Sequence, residues 1–301
     1  MGASEDFQRE LAAWLDAPDA PPPADTVAWS QRLGVRGLLA PDWPEAHGGR
    51  GLARDEVRVL EAELRARGIR RVVSGGLTML APVLREFASE EQQRRFLPPI
   101  ARSEVMWAQG YSEPQAGSDL ANVQMRAEDR GDHYLVNGQK IWTSGADRSD
   151  WIFCLVRTDA DAGKHDGISF LLVDLRSEGI RVAPITLISG LSPFCEVFFD
   201  DVRVPKENLV GKPGGGWPIA KRLLQFERSM LGAEGLASLT GRASRKPLPE
   251  LARERVGVDD AGRLADPALR ERLARLLVAE RASRLTSRRA RGAEGPRVSS
   301  I

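Results

Sequence analysis

The chain has 301 residues, 42% hydrophobic and 28% charged, enough for two or three packed units of about 100–200 residues each and too rich in apolar residues to stay disordered. Its 43 Lys and Arg against 42 Asp and Glu leave a formal charge of +1, so no whole-molecule field draws it to nucleic acid or to an anionic membrane. No run nears the roughly 18–20 apolar residues of a membrane-spanning helix. Two cysteines, Cys154 and Cys195, and three histidines without ligand-like spacing, His47, His133 and His165, offer neither a disulfide framework nor a metal site. The acidic start Met1-Gly2-Ala3-Ser4-Glu5-Asp6 is unlike a basic targeting peptide, so the cytoplasm is the expected compartment.

From the N-terminus, apolar residues recur at three and four, with the Pro-rich stretch Ala17–Ala24 as a loop between the first two helices. Leu60 and Leu64, flanked by Glu56, Glu61 and Glu63, mark one helix. Leu77, Leu80, Val83, Leu84 and Phe87 mark another, which the spacing closes in the charged run 90–95 ahead of Phe96-Leu97-Pro98-Pro99. Between Trp107 and about Gly211 the pattern changes to short apolar runs at 133–136, 151–156, 168–173 and 196–199. Gly, Asp and Asn punctuate these runs, and Asn137-Gly138 predicts a tight hairpin turn in an antiparallel sheet. After Lys212-Pro213-Gly214-Gly215-Gly216-Trp217 the helical period returns through Ile219, Leu223, Leu224 and Phe226. It returns again behind Asp266 as N-cap and Pro267 as first helical residue, with Leu269, Leu273, Leu276 and Leu277 on one stripe. The expected fold is α+β and multi-domain: an N-terminal α-helical domain over 1–105, a middle β-domain over 106–212, and a C-terminal helical domain over 213–301.

Two stretches carry chemistry. Trp107-Ala108-Gln109-Gly110-Tyr111-Ser112-Glu113-Pro114-Gln115-Ala116-Gly117-Ser118-Asp119-Leu120 combines glycines with hydroxyls at Ser112 and Ser118. Main-chain N–H groups in such a turn can face a phosphate or a ring edge without a side chain in the way. Taken alone it also reads as a Gly turn at a domain junction. In Asn137-Gly138-Gln139-Lys140-Ile141-Trp142-Thr143-Ser144-Gly145-Ala146, a large aromatic beside two hydroxyls suits a flat heteroaromatic ligand, although Trp142 by itself reads as core. The basic set Arg281, Arg284, Arg288, Arg289 and Arg291 has no interleaved aromatic and reads as a helix end complementing the macrodipole, not as a nucleic-acid site.

Taken together, the paired Tyr-Ser-Glu-Pro-x-Ala-Gly-Ser-Asp and Asn-Gly-x-Lys-x-Trp-x-Ser stretches resemble the acyl-CoA dehydrogenase family. The resemblance runs from the Gly37–Gly49 segment onward and includes Val197-Phe198-Phe199-Asp200-Asp201-Val202-Arg203-Val204-Pro205. It implies FAD as cofactor, with Gln109, Tyr111, Ser112, Gly117 and Ser118 along the flavin pyrimidine edge and pyrophosphate, Ser118 also near the substrate, and Trp142, Thr143 and Ser144 against the isoalloxazine ring. It implies loss of an α-proton from an acyl-CoA and of a β-hydride to flavin N5, giving a trans-2-enoyl-CoA, as in fatty acid β-oxidation. A carboxylate suits the proton transfer, because burial against an acyl chain raises its pKa toward the working pH. By the resemblance this base is Glu227 in Leu224-Gln225-Phe226-Glu227-Arg228, with Arg228 as substrate contact and Phe226 as apolar wall; without it, Glu227 and Arg228 read as a solvated helix pair.

The same resemblance implies an electron-transfer flavoprotein-like acceptor and homo- or hetero-oligomers of related subunits. It also implies that the family's C-terminal domain continues past Ile301, so that this chain would hold only part of it. The family's Arg-x-x-Phe-Gly stretch is replaced here by Ser244-Arg245-Lys246-Pro247-Leu248-Pro249. A second expectation is therefore a half-site or non-catalytic subunit that needs a partner chain.

Overall fold

The computed structural model describes residues 2–72, 74–231 and 246–292. Ser244 and Arg245 of the replaced stretch, and the end of the chain from Arg297, lie outside the described residues, as do the side chains of Arg288 and Arg291. The chain forms two compact units, Met1–Arg228 and Ser229–Ile301.

The first unit begins with α1 (Gly2–Leu15), α2 (Thr26–Val35) and α3 (Arg54–Ala66). Their apolar stripes meet in a core of Phe7, Leu11, Leu15, Trp29, Leu33, Leu60 and Leu64. Asp25 caps α2, its carboxylate accepting the Ala28 amide at 3.0 Å. A π-helical turn, Gly76–Leu80, then runs into α4 (Ala81–Phe87), and α5 spans Glu90–Ala101. Here the sequence expectation is corrected. The charged run 90–95 opens a helix where its polarity suggested an end. Ser89 accepts the Gln92 amide at 3.2 Å, and Gln92 reaches back to the Ser89 amide at 3.0 Å, a reciprocal cap that starts a new helix. Pro98 and Pro99 lie in its final turns and mark its approaching end.

One eight-stranded sheet follows: β1 (Trp107–Gly110), β2 (Arg126–Asp129), β3 (His133–Ser144), β4 (Trp151–Arg157), β5 (Ile168–Asp174), β6 (Ile180–Ile185), β7 (Phe194–Pro205) and β8 (Leu209–Val210). The order is β6-β7-β3-β2-β4-β5-β8, with β1 beside β4. Pairing is antiparallel except for β1 with β4 and one bridge between β2 and β4. Ile152–Val156 and Ile168–Val173 are buried without alternation, as expected of strands covered on both faces.

The predicted Asn137-Gly138 turn is absent. The hairpin closes earlier, at Arg130-Gly131-Asp132, where the Arg130 amide donates to His133 O at 2.9 Å. Asn137 and Gly138 lie inside β3, at a bulge against β7. The Asn137 side chain donates to the Asp201 carboxylate at 2.8 Å and accepts the Asp201 amide at 2.9 Å, so the Asn serves a cross-strand lock. Gly138 has φ +141, and a Cβ there would come within 3.0 Å of Met125 Cα, which requires glycine at the bulge.

The sheet leads into α6 (Gly216–Leu231). The second unit contains, among its described residues, α7 (Leu248–Val256) and α8 (Pro267–Gly292). Asp266 caps α8 as its sequence indicates, accepting the Leu269 amide at 3.0 Å. None of the described helices is long and apolar enough to cross a membrane.

Candidate functional site

On one face of β1 and its continuation, Trp107, Gln109 and Tyr111 follow the two-residue period of a strand. The Trp107 ring tilts against Trp151 at 5.4 Å, and the Tyr111 ring lies edge-on to Phe153 at 6.0 Å and to Phe170 at 6.4 Å. In α6, Ile219 and Leu223 form the buried stripe, and the next residue on that stripe, four positions on, is Glu227. A carboxylate thus occupies a place where packing alone would select an apolar side chain. Glu227 is half-buried, and its Oε2 accepts the Gln109 side-chain amide at 3.3 Å. The Tyr111 hydroxyl is buried with no hydrogen-bond partner. Its pKa stands well above the ordinary tyrosine value, first because of burial and then because of the Glu227 charge nearby. Phe226 is half-buried beneath the Arg222 guanidinium at 4.4 Å, and Arg222 is held by Glu86 at 2.7 Å. Arg228 is exposed.

Beyond Tyr111 the chain folds into a short closed turn. The Glu113 amide donates to Ala116 O at 2.9 Å and the Ala116 amide returns to Glu113 O at 3.0 Å. Among the described residues, the amides of Ser112, Gly117 and Ser118 make no hydrogen bond. Ser112 is half-buried, Gly117 and Ser118 are exposed, and a Cβ built on Gly117 meets nothing within 4 Å. Three main-chain donors and two hydroxyls are therefore left without an internal partner, the arrangement that receives carbonyl or phosphate oxygens.

The end of β3 is joined to this turn by the Ile141 amide, which donates to Ser112 O at 2.9 Å. A second register shift against β7, between Lys140 and Thr143, turns Trp142 outward. Trp142 has φ +59 and is 54% exposed, edge-on to Phe194 at 6.0 Å. The reading of Trp142 as a core residue is thus corrected, because the bulge reverses the face on which it lies. A bulky side chain in the left-handed region is strained, and such strain concentrates at ligand sites. Next to it the Thr143 hydroxyl is buried without a partner, and Ser144 is exposed. A flat exposed ring, an orphaned hydroxyl and free amides fit a planar heteroaromatic group with polar edges and a phosphate tail. Gln109 and Tyr111 lie on the Glu227 side of the same stretch.

Sequence reasoning passed over two residues here. Lys140 is fully buried, with Nζ 2.8 Å from Glu113 Oε1, and it donates to Leu155 O at 2.7 Å and Tyr111 O at 3.2 Å. Plain two-residue alternation already puts Lys140 on the buried face with Tyr134 and Val136, because the extra residue at the Asn137 bulge lies on β7, so a lysine on that face was the signal that could have found the pair. Among the described residues, no group of three or more His, Cys, Asp or Glu could hold a metal ion. Cavities of about 450 Å³ beside Arg54 and Arg71 and about 520 Å³ beside Gln92 and Glu207 are lined by none of the candidate residues.

Comparison with known proteins gives concordant results. The model of the acyl-CoA dehydrogenase N-terminal domain matches residues 3–104, and that of the middle domain matches residues 108–202. The acyl-CoA dehydrogenase IpdE1 of Mycobacterium tuberculosis is 45% identical over 260 residues, 85% of this chain and 65% of that protein. The chain thus spans less than two thirds of that relative's length. Among solved structures, the Tcur3481-Tcur3483 steroid ACAD matches with TM-score 0.69 and 32% identity, over 95% of this chain and 75% of that one. The ChsE4-ChsE5 complex from Mycobacterium tuberculosis matches with TM-score 0.71 and 30% identity, over 98% and 78%.

Proposed function

Because the chain belongs to the acyl-CoA dehydrogenase family, we propose that it binds FAD and an acyl-CoA thioester and places a double bond between Cα and Cβ of the acyl group, with Glu227 as the base. The observation that carries this reading is Glu227 itself. It is a carboxylate in line with the buried Ile219 and Leu223 of α6, bonded to Gln109 and near the partnerless Tyr111 hydroxyl, and the stretch that carries Gln109 and Tyr111 runs on into a turn with free amides. Bound FAD would supply the hydride acceptor for the β-hydrogen; Glu227 takes the α-proton, so that two C–H bonds are replaced by one C=C bond. Ser112, Gly117 and Ser118 receive the pyrimidine and pyrophosphate oxygens, while Trp142, Thr143 and Ser144 supply a flat face and two hydroxyls. Gln109 orients the Glu227 carboxylate, Tyr111 closes the site from beneath, and Phe226 walls off water. Arg228 and Ser118, both exposed, contact the substrate in this reading. In this reading the chain divides functionally near residues 105 and 212, and electrons pass on to an electron-transfer flavoprotein-like acceptor.

The name of one solved relative, the Tcur3481-Tcur3483 steroid ACAD, favours a polycyclic, steroid-derived acyl group over a simple fatty acyl chain. The two-component names of that protein and of the ChsE4-ChsE5 complex also favour a second reading, in which this chain is one subunit of a two-chain enzyme. On α8, Leu276, Leu277, Val278 and Leu285 are 45%, 38%, 70% and 45% exposed, the kind of surface that a related subunit would cover. One experiment addresses both: the absorbance of the purified chain, then anaerobic bleaching by straight-chain and steroid-derived acyl-CoAs. Wild type should bleach, and Glu227→Gln should hold flavin yet bleach slower by about 10²–10⁴, the usual contribution of a positioned base. Equal rates would remove Glu227 from the role. A chain that turns yellow and active only with a related subunit supports the second reading; no flavin in either state overturns both.

A further inference from the structure

Resting on that reading of the site, we propose that the buried Glu113–Lys140 ion pair is a positioning device that aims the Ser112 amide and its turn at the ligand before the ligand arrives. The pair joins the two stretches from beneath. Lys140 has all three of its N–H donors matched: to Glu113 Oε1 at 2.8 Å, to Leu155 O at 2.7 Å and to Tyr111 O at 3.2 Å. Glu113 is equally committed, with Oε1 accepting the Met125 amide at 3.0 Å and Oε2 accepting the Gln124 amide at 2.7 Å and the Gln115 side chain at 2.8 Å. Lys140 is 0% exposed and Glu113 3%.

The consequence follows from the planarity of the peptide group. In a trans peptide the C=O of one residue and the N–H of the next point in opposite directions. Drawing Tyr111 O inward onto Lys140 therefore turns the Ser112 N–H outward, and that is one of the amides with no partner. The next carbonyl, Ser112 O, is fixed by the Ile141 amide at 2.9 Å, so both sides of Ser112 are clamped. A hydrophobic pair would fill the same volume at less desolvation cost, but it could not hold a carbonyl in one direction. The ion pair is thus explained by direction more than by stability. Lys140 and Glu113 touch neither substrate nor cofactor in this assignment; they act through Ser112.

The test is a comparison of FAD affinity with melting temperature. Removing one partner leaves a buried charge alone and risks unfolding, so the informative variant is Glu113→Gln combined with Lys140→Met. Asn137→Ala serves as control, since it breaks the remote Asn137–Asp201 lock on the same strand. The double variant should raise the FAD dissociation constant at least tenfold, while Asn137→Ala lowers the melting temperature and leaves FAD affinity unchanged. An affinity within twofold of wild type in the double variant overturns the proposal. So does a loss in Asn137→Ala in proportion to its lower melting temperature, which would reduce the effect to general stability. A second measurement needs no variant. In the unsubstituted chain without FAD, hydrogen exchange at the Gln124, Met125 and Ile141 amides should be as slow as in β4, and exchange at open-loop rates would overturn preorganisation. Wild type that binds no FAD at all fails the underlying reading, a result distinct from normal binding by both proteins.

Discussion

Gly117 and Trp142 show at single residues how backbone conformation separates stability from binding. Gly117 lies outside the left-handed region and its missing Cβ faces open space. Gly117→Val should therefore leave the melting temperature unchanged while weakening FAD binding on the order of tenfold or more, because the added branch intrudes only on a ligand. Trp142 is the opposite case, since φ +59 strains any non-glycine side chain. Flavin titration beside a thermal melt distinguishes the two effects, and a Gly117→Val protein that melts early would show the turn to be packed after all. The motif residues were legible as a set because hydroxyls, glycines and an aromatic at those spacings have few other uses. The exposure of Trp142 was not legible, because an aromatic in an alternating strand reads as core until the bulge beside it is known. Glu227 was legible only through the family motif, because a Glu-Arg pair on a helix otherwise reads as solvated; its place in line with the buried Ile219 and Leu223 came from the structure.

At the scale of elements, what the sequence concealed was interruption. The helical period, the switch to strands at Trp107 and the Asp266 cap were all legible because each rests on local chemistry. The start of α5 was hidden because Ser89 and Gln92 act across three residues, while the charges around them suggest solvent. Gln92 also donates to Glu207 O at 2.7 Å and Leu209 O at 2.8 Å, fastening α5 to the end of the sheet. Ser89→Ala should cost about 1 kcal/mol, the usual loss for a helix cap. Gln92→Leu should cost more, about 2–3 kcal/mol, because a buried carbonyl and a part-buried one lose their donor and the Ser89 amide loses its acceptor. Urea denaturation of both variants checks the order, and a Gln92→Leu chain as stable as Ser89→Ala would show those carbonyls to be solvated. Asn137-Gly138 misled for a related reason: its turn propensity is real, but Arg130-Gly131-Asp132 had already closed the hairpin and Asp201 offered the Asn a partner.

Across the whole molecule, buried acids make stability depend on pH in the alkaline range. Burial pushes the Cys154 thiol up to about 12 from an ordinary 9.0, partly opposed by the Lys140 charge, and it raises Tyr111 in the same direction. Both pKa values are raised on folding, so the stabilisation is complete below the unfolded values and is lost as pH rises through the folded ones. From about pH 9 the unfolded chain ionises Cys154 and the folded chain does not, so unfolding becomes easier by about 1.4 kcal/mol per pH unit for that group. Denaturation midpoints measured in this range should fall with pH, and Cys154→Ala should flatten the slope; an unchanged slope would assign the effect elsewhere. The outward-facing Trp142 has a further, optical consequence. Of seven tryptophans, Trp29, Trp43 and Trp107 are buried, Trp14, Trp151 and Trp217 are half-buried and Trp142 is 54% exposed, so Trp142 is the most solvated indole and weighs most on the red edge of the chain's fluorescence. The protein therefore carries its own reporter at the candidate site, and a ligand settling on that face will announce itself by quenching the long-wavelength emission before any label is attached.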